Sequence, residues 1–259
     1  MTGSTTIGPL ERAGSDQQPI PQPFTVPGAE PPVGTGPIVD AHTHIFPPEI
    51  CEARLHYAPH EPWFEHLYEN PGAMLVQAEA LVASMREAGI GELNADAQEF
   101  DFREPELLAP VVEVCQSAGK PVLFHVSEPL GHAYPGKGTA TPERFVRFLA
   151  RYPDLPVVAA HWGGGLPFYE LMPEIASLAR NVVYDSAAST YLYRFAVFRA
   201  VLDIVGPERV LMASDYPILR QRRFLRRTLA ADLHSWEMPL VLGRNAVRVY
   251  DLPEGGSGS

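Results

Sequence analysis

His42 and His44 stand one residue apart at the end of the apolar run Ile38-Val39-Asp40-Ala41-His42-Thr43-His44, just before a break at Phe46-Pro47-Pro48. Side chains alternate along a strand with period two, so both imidazoles project the same way from its carboxyl end. Two neutral imidazoles on one face are a common start to a metal site, though an isolated pair is as readily an accident of a buried or surface strand. Other apolar runs also carry titratable groups at or near their ends. These are Glu92 in Gly91-Glu92-Leu93-Asn94, His125 in Leu123-Phe124-His125, His161 ahead of Trp162-Gly163-Gly164-Gly165, Asp185, and Asp215 in Ala213-Ser214-Asp215-Tyr216-Pro217. Each alone has a plainer role, as a hydrogen-bonded core histidine or a cap for the next helix. Their conjunction points to a metal centre. A divalent ion held by imidazoles lowers the pKa of bound water to about 7 and polarises a carbonyl, and a nearby carboxylate can take the water's proton.

The elements that must position these groups are short apolar runs alternating with helical patterns. Strands are expected at Ile38 to His44, Ile90 to Asn94, Pro121 to Val126, Pro156 to His161, Asn181 to Asp185 and Arg209 to Ser214. They are rich in Val, Ile and Leu without strict polar alternation, the pattern of strands buried on both faces of a parallel sheet. Helices are expected at Leu75 to Ala88, Pro105 to Ala118, Leu166 to Ala179 and Tyr193 to Val205. Another starts at Thr141-Pro142-Glu143, with a cap, a first-turn proline and an acidic residue. The run Arg220, Arg222, Arg223, Arg226 and Arg227 opens a further helix and reads as a solvated outer face. This β-α order specifies a parallel α/β sheet, open or closed into a barrel. In both, sites form at the carboxyl ends of the strands.

The 259 residues suffice for one large domain, and 46% hydrophobic with 20% charged residues is a globular composition. A formal net charge of -11 argues against nucleic-acid or anionic-membrane partners, which call for a basic face. Cys51 and Cys115 suggest no disulfide framework and fit a reduced, cytoplasmic setting. No apolar run approaches a membrane span, and no signal peptide is expected. Residues 1–36 are Pro-rich and read as a disordered arm, 37–252 as the folded domain, and 253–259 as a flexible tail. After the first strand, His56, His60 and His66 lie among loop aromatics and read as surface histidines, as does His234. Cys51 could face the site from this connection, whereas Cys115 reads as core packing. The loop Ser127 to Gly138 follows His125 directly. Its His132, Tyr134 and Lys137, with Trp162 after His161, are the candidate substrate contacts.

The segments Asp40-Ala41-His42-Thr43-His44, His161-Trp162-Gly163-Gly164, Ser214-Asp215-Tyr216-Pro217 and Leu242-Gly243-Arg244-Asn245-Ala246 resemble the amidohydrolase superfamily. More narrowly, they resemble the amidohydrolase-related group that includes the aminocarboxymuconate-semialdehyde decarboxylase-like enzymes. The resemblance spans about residue 37 to residue 252. It implies an α/β fold of the TIM-barrel type with a divalent metal, often zinc, at the carboxyl face. Carried over by position, His42, His44, His125 and Asp215 would be metal ligands or contacts. Asp215 would also orient the attacking water or take its proton. His161 would polarise the substrate, shuttle a proton or bind a second metal. Glu92 resembles a metal-ligating glutamate of the TatD-type nucleases, so that Glu92 and His161 could hold a second ion.

Three activities follow from the resemblance. The leading one is a metal-dependent hydrolase acting with a metal-activated water on an amide, ester or lactone-like bond of a small polar or carboxylated molecule. The second is non-oxidative decarboxylation of a small unsaturated or aromatic acid on the same site. The third is a degenerate, non-catalytic barrel. A complete barrel of this kind takes ~250 residues, and only six of its eight strands are recognisable. Two strand–helix units are missing between the helix Leu75 to Ala88 and Ile90-Gly91-Glu92. The first strand could then pair directly with the Gly-Glu strand in a six-stranded open barrel, a second copy of the chain could cover the gap, or the ligands could be displaced.

Overall fold

The computed structural model describes residues 34–46, 48–57, 68, 70–88, 92–95, 105–134 and 137–253. Most of the N-terminal arm, the tail after residue 253, His60 and His66 lie outside the described residues. Among the described residues there are six strands: β1 (Val39–Thr43), β2 (Glu92–Ala95), β3 (Val122–Phe124), β4 (Val157–Ala159), β5 (Val182–Asp185) and β6 (Val210–Leu211). All are parallel, in two ladders ordered β1-β2 and β3-β4-β5-β6.

The ladders meet along one seam. Thr43 bridges Tyr216, and backbone hydrogen bonds run from Ala41 N to Met212 O (3.0 Å), from Asp215 N to His42 O (3.1 Å) and from His44 N to Tyr216 O (2.7 Å). The strands therefore follow one another as β2-β1-β6-β5-β4-β3. No pairing joins β2 to β3 among the described residues. The fold is an incomplete TIM barrel in which the first strand pairs directly with the Gly-Glu strand, the first of the three arrangements the sequence left open. Between Asp40 and Thr43, β1 advances three residues while β2 advances two from Leu93 to Ala95. This irregularity, of the kind that bends a strand and re-aims its side chains, lies across Ala41 and His42.

Period two is visible in the packing. Val157 and Ala159 join the larger buried cluster, with Phe145, Phe148, Phe198 and Phe224 from the surrounding helices, while Val158 joins the smaller one. Val210 and Met212 divide from Leu211 and Ala213 in the same way. Both faces of the sheet are thus buried, as the unalternating strand sequences require. The helices Ala78–Ala88, Pro105–Ala118, Pro142–Arg151, Val197–Val205 and Gln221–Leu229 match their sequence patterns within a few residues. The expected single helix Leu166 to Ala179 is instead two pieces, Leu166–Tyr169 and Pro173–Leu178. Pro173 forces Met172 out of the helical region, to φ -93 and ψ 118. No helix among the described residues is long and apolar enough to cross a membrane.

Two side-chain anchors fasten the seam. The wholly buried Asp40 accepts Ser214 N (2.8 Å), Ser214 Oγ (2.5 Å) and Gln221 Nε2 (2.8 Å). Asn245 donates to Pro207 O (2.7 Å) and Val210 O (2.9 Å), pinning the C-terminal helix Asn245–Tyr250 to the start of β6. Gly243, two residues earlier, presses on the chain entering β1, and a Cβ there would lie 1.9 Å from Pro37 O and 2.8 Å from Pro37 C. Both partners are backbone, so nothing can rotate away. Gly243→Ala should cost about 3 kcal/mol and lower Tm by roughly 6–12 °C, read by thermal denaturation.

Candidate metal centre

Three of the expected ligands converge. His42 and His44 leave the carboxyl end of β1, and Asp215 leaves that of β6. Asp215 sits at φ 63, a left-handed conformation that aspartate tolerates better than most residues. Its carbonyl accepts Ile218 N at 2.8 Å, closing a tight turn that aims its carboxylate back at β1. His42 Nε2 lies 3.1 Å from His44 Nε2, His44 Nε2 lies 3.0 Å from Asp215 Oδ1, and His42 Nε2 lies 3.7 Å from the same oxygen.

The orientation of His42 is set from behind. Its Nδ1 donates to Asp185 Oδ2 at 2.9 Å, while Asp185 Oδ1 accepts His161 N (2.9 Å) and Ala187 N (3.0 Å). An ionised carboxylate only accepts. The His42 proton is therefore on Nδ1, and the Nε2 lone pair faces His44 and Asp215. Donors held ~2.0–2.2 Å from one ion at tetrahedral angles stand roughly 3.3–3.5 Å apart, and these three atoms stand 3.0 to 3.7 Å apart. The donor set, its spacing and the carboxylate behind His42 fit a divalent metal ion.

His161 completes the centre on one side. Its Nδ1 is 3.3 Å from Ala187 O and 4.0 Å from Asp215 Oδ2, and its ring lies 5.4 Å from that of His42. Burial pushes the Asp215 carboxyl up, but the hydrogen bond from His44 and the neighbouring imidazoles of His42 and His161 overcome this and hold it well below the usual carboxylate range. The centre is therefore an anion among imidazoles.

His125, expected as a ligand, is not in the converging group. Its Nε2 faces Ser127 Oγ at 2.8 Å, an oxygen that also accepts Gly138 N at 2.9 Å. Its ring instead stands edge-on to His161 with centroids 4.7 Å apart. Burial, then the neighbouring His161 charge, pushes its pKa down to about 3, so it is neutral. The glycines after His161 explain this proximity. Residues His161 to Gly164 all have φ between 56 and 60, and a Cβ on Gly164 would meet Ser127 O at 2.6 Å. Only glycine allows the loop after β4 to lie on the loop after β3.

The structure corrects several other placements. Glu92, expected as a ligand, opens β2 opposite Val39, whereas Ala95 is the residue level with Thr43. A strand advances ~3.3 Å per residue, so Glu92 belongs to the amino end, away from the centre. Trp162, expected at the substrate, is wholly buried; its Nε1 donates to Ser189 Oγ at 2.7 Å and its ring packs edge-on against Phe198. Lys137 is spent on its own loop, donating to Leu130 O (2.7 Å) and His132 O (3.1 Å). Tyr134 donates to Glu128 Oε2 at 2.8 Å, and burial together with Glu128 pushes its hydroxyl pKa up. The His132 ring is exposed and stacks loosely on Tyr134, 5.5 Å away. His56 is exposed, and Cys115 packs on the larger core cluster, as expected. Cys51 Sγ points to Phe46 O at 3.7 Å. Asp185 is the residue whose role the sequence did not give. It was visible as a strand end, but its partner is 143 positions away.

The sequence pattern of the family Amidohydro_2, described as amidohydrolase, matches residues 69–252. The match takes in His125, His161, Asp185 and Asp215 but begins after the His42–His44 pair. No curated protein sequence matches the chain. Among solved structures, the chain is similar to 5-carboxyvanillate decarboxylase from Sphingomonas paucimobilis, with TM-score 0.66 and 15% identity over 84% of this chain and 99% of that one. It is similar to a zinc-bound amidohydrolase from Burkholderia multivorans, with TM-score 0.54 and 16% identity over 84% and 100%. A third is dihydroxybenzoic acid decarboxylase from Polaromonas with bound manganese and the inhibitor 2-nitroresorcinol, with TM-score 0.57 and 15% identity over 84% and 97%. At these identities the likenesses establish the fold. With a family pattern that covers most of its length, the chain belongs to the amidohydrolase family.

Proposed function

We propose that the protein is a metal-dependent decarboxylase of small aromatic or unsaturated acids. The observation that carries this reading is the convergence of His42 Nε2, His44 Nε2 and Asp215 Oδ1 beside a further imidazole, His161. It is supported by the structural relatives, several of which are decarboxylases of aromatic acids. This departs from the hydrolytic activity that leads among the sequence-based expectations.

The reaction replaces a carboxylate on carbon by a proton. The bond from the ring carbon to the carboxyl carbon breaks, its electron pair stays on the ring carbon, and CO2 leaves. When bound, a divalent ion supplies Lewis-acid stabilisation of negative charge on the substrate's oxygens. His42, His44 and Asp215 would hold it, and His42 is kept in the required tautomer by Asp185. His161 is the proton donor to the ring carbon, held in place through its own backbone N–H and Ala187 O. Asp215, kept anionic, lies close enough to balance charge on His161. His125, neutral and pinned by Ser127, packs behind that ring.

An anionic Asp215 would equally suit a base that deprotonates water, and the zinc-bound relative is an amidohydrolase. Product analysis separates the two. Purified protein should hold zinc or manganese. Chelator treatment should abolish CO2 release from aromatic acids, and either ion should restore it. Carboxylate release from amides or lactones without CO2 would replace this reading with the hydrolytic one. Absence of metal, with no rise in Tm on adding zinc or manganese, would overturn both.

A further inference from the structure

A cleft of about 420 Å³ lies beside the turn that follows Asp215. Its walls include Tyr68, Met74, Tyr191, Ile218, Arg220 and Arg223, and no carboxylate among the described residues lines it. They come from the segments that follow three residues of the metal centre. Tyr68 packs its ring on Phe46, two residues past His44, at 5.0 Å. Tyr191 belongs to the short helix Ser189–Leu192 that follows Asp185. Pro217 and Ile218 are in the turn closed on the Asp215 carbonyl. Two residues of chain span at most ~7 Å, so the cleft begins within the reach of one small ligand from Asp215.

The charge there runs against the chain as a whole. The protein carries -11, yet among the described residues this cleft has two guanidinium groups and no acid. Arg223 is in the first turn of the helix Gln221–Leu229, Arg220 is its extended cap residue, and both line the cleft. Both are exposed, and neither has an ion-pair or hydrogen-bond partner among the described residues. Arg222 between them turns away to Glu87 at 3.3 Å. Arg227 turns to the Phe195 ring, 4.2 Å away. Of the five arginines of the expected solvated face, Arg222 and Arg227 are thus committed elsewhere and Arg220 and Arg223 are left at the cleft. The amino end of the same helix adds partial positive charge.

We infer that this cleft selects substrates that carry a second anionic group. Arg220 and Arg223 bind that group, a carboxylate suiting the guanidinium fork best, while Tyr68, Tyr191 and Ile218 flank the ring or unsaturated chain that connects it to the metal centre. Both arginines are specificity-determining residues for the decarboxylation proposed above, and the inference rests on that reading only for where the first carboxylate sits.

The test is calorimetric titration of metal-loaded, full-length protein with isophthalate and with benzoate. Isophthalate should bind about tenfold tighter or better. The double variant Arg220→Gln/Arg223→Gln should lose that advantage and leave benzoate unchanged. Arg222→Gln, outside the cleft, should change neither. All three substitutions are at exposed positions, and unchanged Tm and metal content show that the fold and centre are intact. An equal loss for both ligands, no loss in the double variant, or no isophthalate binding to the unaltered protein would overturn the inference. Arginine-dependent binding without CO2 release would count against the decarboxylase reading alone. CO2 release indifferent to both arginines would count against the cleft alone.

Discussion

Asp215→Asn should leave a folded protein that has lost its metal and its activity. Asparagine is nearly isosteric and accepts the left-handed backbone that this position requires, at φ 63. The turn after β6 and its hydrogen bonds to β1 should survive, and Tm should stay within a few degrees of that of the metal-stripped unaltered protein. The negative charge is what disappears. Asp215 Oδ1 is the only anionic atom among the three converging donors, and it faces His44 Nε2 at 3.0 Å and His42 Nε2 at 3.7 Å. A neutral amide leaves two imidazoles to hold a dication alone. It also removes the anion 4.0 Å from His161. CO2 release should drop by about a thousandfold or more, and elemental analysis should find substoichiometric metal. Unchanged turnover would remove Asp215 from the reaction and sink the mechanism.

Asp185→Asn should damage the same centre without touching the ion. Both carboxylate oxygens of Asp185 accept, one from His42 Nδ1 and the other from two backbone N–H groups, those of His161 and Ala187. An amide has one accepting end. With its oxygen toward the backbone, its NH2 opposes His42 Nδ1 and drives the proton of that ring to Nε2, where a ligand needs a lone pair. With its oxygen toward His42, its NH2 opposes two N–H donors in a site with no exposure. The first costs metal affinity and the second costs stability, about 1–3 kcal/mol. Metal affinity should weaken by roughly 10- to 100-fold, read by competition with a chromophoric chelator. A variant that binds metal as tightly as the unaltered protein and melts at the same temperature would show that Asp185 does not orient His42.

The legible parts of this protein are those that obey local periodicity. The pair His42–His44 could be placed because an apolar run with period two has only two faces, and Asp215 because it ends such a run. The parallel α/β class and the shortage of strands were legible for the same reason. What failed depends on distant contacts. Glu92 was read as part of a strand end, but its register against Val39 puts it at the strand's beginning, and register is set by a partner fifty residues away. His125 is the exception, since the residue that occupies its Nε2 is a near neighbour, Ser127, two positions on. Trp162 looked like a mouth residue, but the left-handed run from His161 to Gly164 turns the indole into the core. Asp185 carried the right signal, a carboxylate ending the strand between those of His161 and Asp215. Its importance lies in a hydrogen bond that no neighbouring residue announces.

The seam between β1 and β6 has a consequence beyond the reaction. His44 and Asp215 are 171 positions apart in the chain, yet their side chains touch. An ion shared between them would fasten the first strand of the domain to its last, closing a loop of 171 positions. Closure entropy grows with loop length, and the free energy of holding the ion is then free energy of folding as well. β1 needs such a clasp more than a strand in a complete barrel would, because its other neighbour, β2, pairs with nothing further among the described residues. In a barrel short of two strand–helix units, an ion held there would add to the backbone and Asp40 hydrogen bonds that already join these ends.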